Sequence, residues 1–119
     1  MTAPARRRAY RFGRFAEALC VWSLRLQGYQ VVARRFDAGV GEIDIVARRG
    51  TLLAVIEVKG RRSGDTGELL TARQRARIER AATAFLARAP RFADHDLRFD
   101  VMVVRAWRPP RHMKDAWRP

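Results

Sequence analysis

The chain has 119 residues and a formal charge of +13, with 25 basic side chains, all arginine but Lys59 and Lys114, against 12 acidic ones. That length holds one domain with one modest core, and 48% apolar residues in periodic segments exclude disorder for most of it. The single cysteine, Cys20, excludes an internal disulfide framework and a cysteine zinc cluster, and the isolated His95 and His112 exclude a histidine-rich metal site.

The first nine residues read as a basic, Pro-containing arm. They resemble the positive start of a signal peptide but lack the roughly 7–15-residue apolar segment that must follow. The expectation is a cytosolic protein. From Arg11 to Gln27 the apolar positions Phe12, Phe15, Ala16, Leu19, Trp22 and Leu26 follow helical spacing, and Gly28 stops the helix. Tyr29 to Arg35 predicts a first strand, and Asp37-Ala38-Gly39 is turn chemistry.

Glu42 to Arg48 alternates, with Ile43, Ile45 and Ala47 on one side and Glu42, Asp44 and Val46 on the other. Arg49-Gly50-Thr51 turns the chain into a second β run, Leu52 to Lys59, making a hairpin. Gly60 to Gly67 is a basic, glycine-rich loop. Thr71 to Ala89 predicts a helix with an apolar stripe at Ile78, Ala81, Ala82 and Phe85, ended by Pro90. Leu97 to Val104 is the last predicted strand. Residues 105–119, with Trp107-Arg108-Pro109-Pro110 and Trp117-Arg118-Pro119, read as a basic tail with little internal structure. The domain proper is expected over residues 11–104, between an arm at 1–10 and this tail. Its order is α-β-β-β-α-β, and the helix before the last strand is long enough for a parallel crossover, so the sheet should be mixed.

No run approaches the ~20 apolar residues of a membrane helix, and the excess charge favours a polyanionic partner, nucleic acid before an anionic membrane surface. Three polar residues stand in β runs that should be buried or half-buried: Asp44, Glu57 and Lys59. Alternation puts Glu57 and Lys59 on one face. If Arg48 pairs with Thr51, Asp44 falls opposite Val55, diagonal to Glu57, and Glu42 falls opposite Glu57. Diagonal neighbours stand about 7–8 Å apart, near enough for two carboxylates to hold one divalent cation. Magnesium, which takes hard oxygen ligands and keeps several waters, suits such a pair, with manganese as the substitute. Lys59 beside it can orient or deprotonate a water and offset negative charge. Glu17 on the first helix is a fourth candidate. The alternative is a solvated sheet face carrying an ordinary Glu57–Lys59 pair. The hairpin, the basic loop holding Arg61 and Arg62, and the Arg-rich helix holding Arg73 and Arg77 favour phosphodiester chemistry.

Gly41-Glu42-Ile43-Asp44-Ile45-Val46-Ala47 followed by Val55-Ile56-Glu57-Val58-Lys59 resembles the PD-(D/E)xK nuclease motif. More closely, the chain resembles the YraN-like family of small bacterial proteins, predicted to be endonucleases and distantly similar to archaeal Holliday junction resolvases. Gly28-Tyr29, Gln74-x-x-x-Ile78 and Arg98-Phe99-Asp100-Val101 extend the resemblance from about Gly13 to Val104. It implies a restriction-endonuclease-like α/β core, metal at Asp44, Glu57 and the Val58 carbonyl, Lys59 serving the nucleophilic water, and Glu17 as the first-helix glutamate. Ala16, Arg35 and Arg73 depart from the family's usual Gly, Asn and Lys.

Other residues have structural readings beside functional ones. Thr71-x-x-Gln74 is a capping-box pattern, although Gln74 can also meet a phosphate. Arg73, Arg77 and Arg80 track a phosphate backbone or face solvent. Arg98 and Asp100 read as a structural ion pair, and Cys20 as a small core residue. Trp107 and Trp117 stack on bases, cover the sheet edge, or belong to a loose tail. The functional expectation is a magnesium-dependent DNA endonuclease, with branched DNA among its candidate substrates. A nucleic-acid binder on a nuclease-like scaffold and a protein-binding scaffold are the alternatives. Symmetric cutting of two strands would call for a homodimer.

Overall fold

A computed structural model describes residues 3–61 and 69–119, with side chains described from residue 13 onward. Helix α1 spans Ala3–Leu26, followed by strands β1 (Gln30–Asp37), β2 (Glu42–Arg49) and β3 (Leu52–Gly60). Helix α2 (Ala72–Arg88) and a 3₁₀ turn (Pro90–Phe92) lead to β4 (Asp96–Val104) and β5 (Arg111–Trp117). The five strands lie in the order β1-β2-β3-β4-β5. Only β3 and β4 are parallel, joined through α2, so the sheet is mixed as expected.

Strand alternation divides the core in two. Leu53, Val55, Phe99, Val101 and Val103 pack with Ile78, Ala81, Ala82 and Phe85 of α2. Ala54, Ile56, Met102 and Val104 pack with Ala16, Cys20, Val21 and Leu24 of α1. The sheet is therefore sandwiched between the two helices. The α2 stripe is buried as its spacing predicts, and the helix carries both hydrogen bonds of the Thr71–Gln74 capping box.

Four expectations need correction. Helix α1 begins at Ala3 rather than after an arm, because alanine and arginine are good helix formers and Pro4 sits in the first turn, where no N–H is needed. Its buried face is Ala16, Cys20, Val21 and Leu24, whereas Phe15, Trp22 and Leu26 are exposed. Two stripes share that helical period, and the smaller residues are the ones that let α1 lie close on the sheet. Residues 111–117, expected to be tail, form β5, whose Val101–Met113 and Met102–His112 pairs cover the edge of β4. A run with Pro109-Pro110 and few apolar residues carries no alternation to announce a strand.

The hairpin register is the fourth. Gly50, with φ +62°, takes the first turn position, so Arg49 pairs with Leu52 and Val46 with Val55. The pairing thus differs by two residues from the expected one, and a shift of two keeps every side chain on its face.

Candidate active site

The β2–β3 ladder stops at Ile45 and Ile56, although both strands continue beyond it. Past that point β2 stays with β1 through Ile43–Phe36, and β3 stays with β4 as far as Gly60–Val104. The sheet therefore forks. Ile43 joins the α2-side core while Ile45 and Ala47 join the α1-side core, so the strict alternation expected for β2 breaks at Asp44. The Asp44 side chain fills the fork and accepts the Val58 N–H at 2.7 Å. A side chain thus replaces a ladder carbonyl, which satisfies the strand and opens a space between two strands of one sheet.

That space is a pocket of about 210 Å³ lined by Glu42, Asp44, Glu57, Lys59, Leu70, Gln74, Arg77 and Ile78. It brings Asp44, Glu57 and Lys59 together from β2 and β3, and adds Gln74 and Arg77 from α2. Gly41 sets the approach of α2: a Cβ there would lie 2.2 Å from the Arg77 carbonyl oxygen. Only glycine lets the entry of β2 run against that helix backbone.

Lys59 Nζ stands 3.5 Å from Glu57 Oε1, with both side chains largely buried. Burial first, then the charge of Asp44, pushes the Glu57 carboxyl from its ordinary value up to about 8. Burial likewise raises Asp44, against the lowering effect of the Val58 N–H. The two carboxyls are close enough to act on one another, and burial favours the neutral form of the pair.

Glu17 is buried but does not line this pocket. It accepts from Arg34 Nε at 2.8 Å, with Arg35 Nε at 3.8 Å, and its charge raises Asp44 from the α1 side. Cys20 lies in the same region. Burial, then Asp44 and Glu17, pushes its thiol up to about 12, so it is an inert core residue.

The Val58 N–H is committed to Asp44. Arg61 donates its backbone N–H to the Val104 carbonyl and stands outside the pocket lining. Arg73 is exposed on α2 one turn before Arg77. Arg62 and most of the basic loop lie outside the described residues. Among the described residues no group of three or more Asp, Glu, His or Cys side chains forms a cation cage. The donor set here is two hard carboxylates with room for water, which fits magnesium, usually held by one or two carboxylates and several waters.

Arg98 and Asp100 are a structural pair, as read from sequence. Two 2.8 Å bonds join Arg98 Nε and Nη2 to the fully buried Asp100 carboxylate. His112 Nε2 at 2.8 Å and the Asp115 N–H at 3.0 Å complete its shell, and Arg98 also donates to the Tyr29 hydroxyl. Sequence reasoning missed the His112 part, because His112 lay in a segment with no strand signal. Trp117 stacks on Phe99 at 5.0 Å and donates to Glu79, so it covers the sheet edge rather than waiting for a base.

Fold and site together define a mixed-sheet α/β protein with a half-buried acid pair and a lysine in one fork of the sheet. The chain belongs to the uncharacterised protein family UPF0102, whose family model matches residues 16–104. It is similar to the UPF0102 protein of Parvibaculum lavamentivorans, 58% identical over 112 residues, which cover 93% of this chain and 84% of that one. The UPF0102 protein of Paramagnetospirillum magneticum is 50% identical over 119 residues, covering 96% and 92%. That of Chelativorans is 41% identical over 114 residues, covering 95% and 92%.

Proposed function

We propose that the protein is a metal-dependent endonuclease with a restriction-endonuclease-like core that hydrolyses phosphodiester bonds in DNA. The observation that carries this reading is the convergence of Asp44, Glu57 and Lys59 in the fork between β2 and β3, facing Arg77 on α2. A pure binding protein with a charge of +13 gains nothing from crowding two acids into a half-buried pocket.

Asp44 and Glu57 would hold magnesium or manganese, which supplies Lewis-acid polarisation and a more acidic bound water. Asp44 keeps one oxygen on the Val58 N–H, so its direction is fixed before substrate arrives. Lys59 Nζ, close to Glu57, orients the attacking water and offsets charge growing on the phosphoryl oxygens. Arg77, at the mouth, and Arg73 beyond it hold the flanking phosphates as fixed positive charges. Glu17, tied to Arg34 and Arg35, acts from behind the pocket by fixing the α1 side of Asp44's surroundings. No helix of the described residues is long and apolar enough to cross a membrane, and the partner proposed is nucleic acid.

The test is incubation of purified protein with linear, nicked, flapped and four-way-junction DNA in Mg²⁺, Mn²⁺ or EDTA. Metal-dependent cleavage lost in Glu57→Gln and Lys59→Ala is expected. DNA binding without any cut would assign the chain to the binding class instead, and paired cuts on a junction would call for a two-fold homodimer.

A further inference from the structure

Trp107 is fully exposed, and its backbone has φ +65°. It is the third residue of a tight turn, Arg105 to Arg108, in which the Arg108 N–H donates to the Arg105 carbonyl at 3.4 Å. A positive φ at that place ordinarily falls to glycine or asparagine. A bulky side chain there costs stability, and among the described residues the indole packs on no core residue that would repay it. Strain that holds the largest apolar side chain out in water is the mark of a contact surface.

The surroundings say what it contacts. From Val101 to Lys114 there is no acidic residue, while Arg105, Arg108, Arg111 and Lys114 are all basic. The turn joins β4 to β5 at the end of the sheet where Lys59 pairs with Val103 and Gly60 with Val104. That is the end at which the β2–β3 fork opens, so pocket and turn stand at one end of the sheet.

Resting on the nuclease reading of the fork, we propose that Trp107 is a stacking platform for an unpaired base of the DNA, with Arg105 and Arg108 on the adjoining phosphates. A rigid indole flanked by cations suits a base with an open face. In a continuous duplex both faces of each base are already covered, so the substrate class is DNA with unpaired nucleotides beside the cut: a flap, a single-stranded end or an open junction.

The test reads binding, in EDTA and at one fixed salt concentration, with fluorescein-labelled single-stranded, flapped and fully paired DNA of related sequence. Trp107→Ala and Trp107→Gly should weaken single-strand and flap binding roughly 5- to 150-fold, the range measured for one stacked base, and leave duplex binding within about twofold. Trp107→Phe should restore most of the loss. Trp107→Gly should melt no lower than wild type, since glycine relieves the strain. Equal losses on flap and duplex, or no loss on either, would overturn the stacking site. Wild type that prefers the flap through Trp107 yet cuts no probe in Mg²⁺ or Mn²⁺ supports this site and removes the nuclease reading. Cleavage of flap and duplex alike, unchanged in Trp107→Ala, keeps the nuclease reading and removes this one.

Discussion

The Val58 N–H donates to Asp44 Oδ2 at 2.7 Å, in the fork where the β2–β3 ladder has stopped. One carboxylate oxygen is thereby structural and the other is left for chemistry. Asp44→Asn keeps an acceptor for that N–H, whereas Asp44→Ala leaves it without one. Chemical denaturation should find Asp44→Ala less stable than Asp44→Asn by about 1–3 kcal/mol, the cost of an unsatisfied half-buried donor. Neither variant should cleave DNA. Equal stability of the two would mean that water replaces the carboxylate and that the bond does not hold the fork.

The acid pair sets a pH dependence in metal-free protein. Glu57, raised from 4.5 to about 8, binds a proton more tightly folded than unfolded. Its contribution to stability is therefore fully present below about pH 4.5 and is lost as pH rises through about 8. Glu57→Gln has no proton to lose, so its melting temperature should climb relative to wild type between pH 5 and 8. At neutral pH, wild type should instead gain from Mg²⁺ or Mn²⁺. At ten times an assumed dissociation constant, linkage gives about 1.4 kcal/mol, several degrees for a domain of this size. Thermal scans across that pH range with and without metal decide the matter. A wild type indifferent to both cations, with a flat difference curve, would show that the two acids neither hold a cation nor strain the fold.

Much of this site was legible in the sequence, for reasons that can be named. Asp44, Glu57 and Lys59 stand in strands where charge is out of place, and the period of two puts them together whether the turn begins at Arg49 or at Gly50. The two-residue change in register was harmless for that reason. What could not be read was the fork, since a ladder ending early leaves no trace in an apolar pattern. Glu17, expected beside the acids, is held by Arg34 and Arg35 on the α1 side. Strand β5 was hidden because its stability comes from Asp100 and Phe99 on the neighbouring strand rather than from its own residues.

Gly41 gives the approach of α2 a test of its own. A methyl group there meets the Arg77 carbonyl oxygen, a backbone atom that cannot swing away. Gly41→Ala should cost about 1–3 kcal/mol by overpacking. If instead α2 shifts outward, Arg77 moves off the pocket and DNA binding weakens at unchanged metal affinity. Melting curves with titrations of DNA and of Mn²⁺ separate the two. Wild-type values throughout would show that the helix has slack at this point.

Salt dependence addresses the α2 face. If about four to six arginines near the pocket meet phosphates, the slope of log K against log salt should be near −4 to −5. Arg77 lines the pocket and Arg73 stands one turn away, so replacing both with alanine should flatten the slope by up to about two units. Fluorescence anisotropy at several salt concentrations measures it. An unchanged slope would leave that face to solvent.

Asp100 tests the other half of the molecule, where a charge is used to build rather than to react. Burial acts to raise its carboxyl, but the bonds from His112, Arg98 and the Asp115 N–H together outweigh it and hold the group below its usual range. Such an acid stabilises the fold above its unfolded pKa, near 4, and loses that contribution as pH falls through its folded value. Asp100→Asn removes the charge while leaving the Arg98 guanidinium, only 17% exposed, without its counter-ion. The expected cost at pH 7 is about 3–5 kcal/mol, shared with β5, because His112 and Asp115 both sit on that strand. The gap between wild type and Asp100→Asn should narrow as pH is lowered below about 4. Hydrogen exchange at pH 7 should show β5 losing protection in the variant before β3 does. If β5 keeps its protection and the stability gap does not change with pH, the strand is held by the Phe99–Trp117 stack rather than by the buried carboxylate.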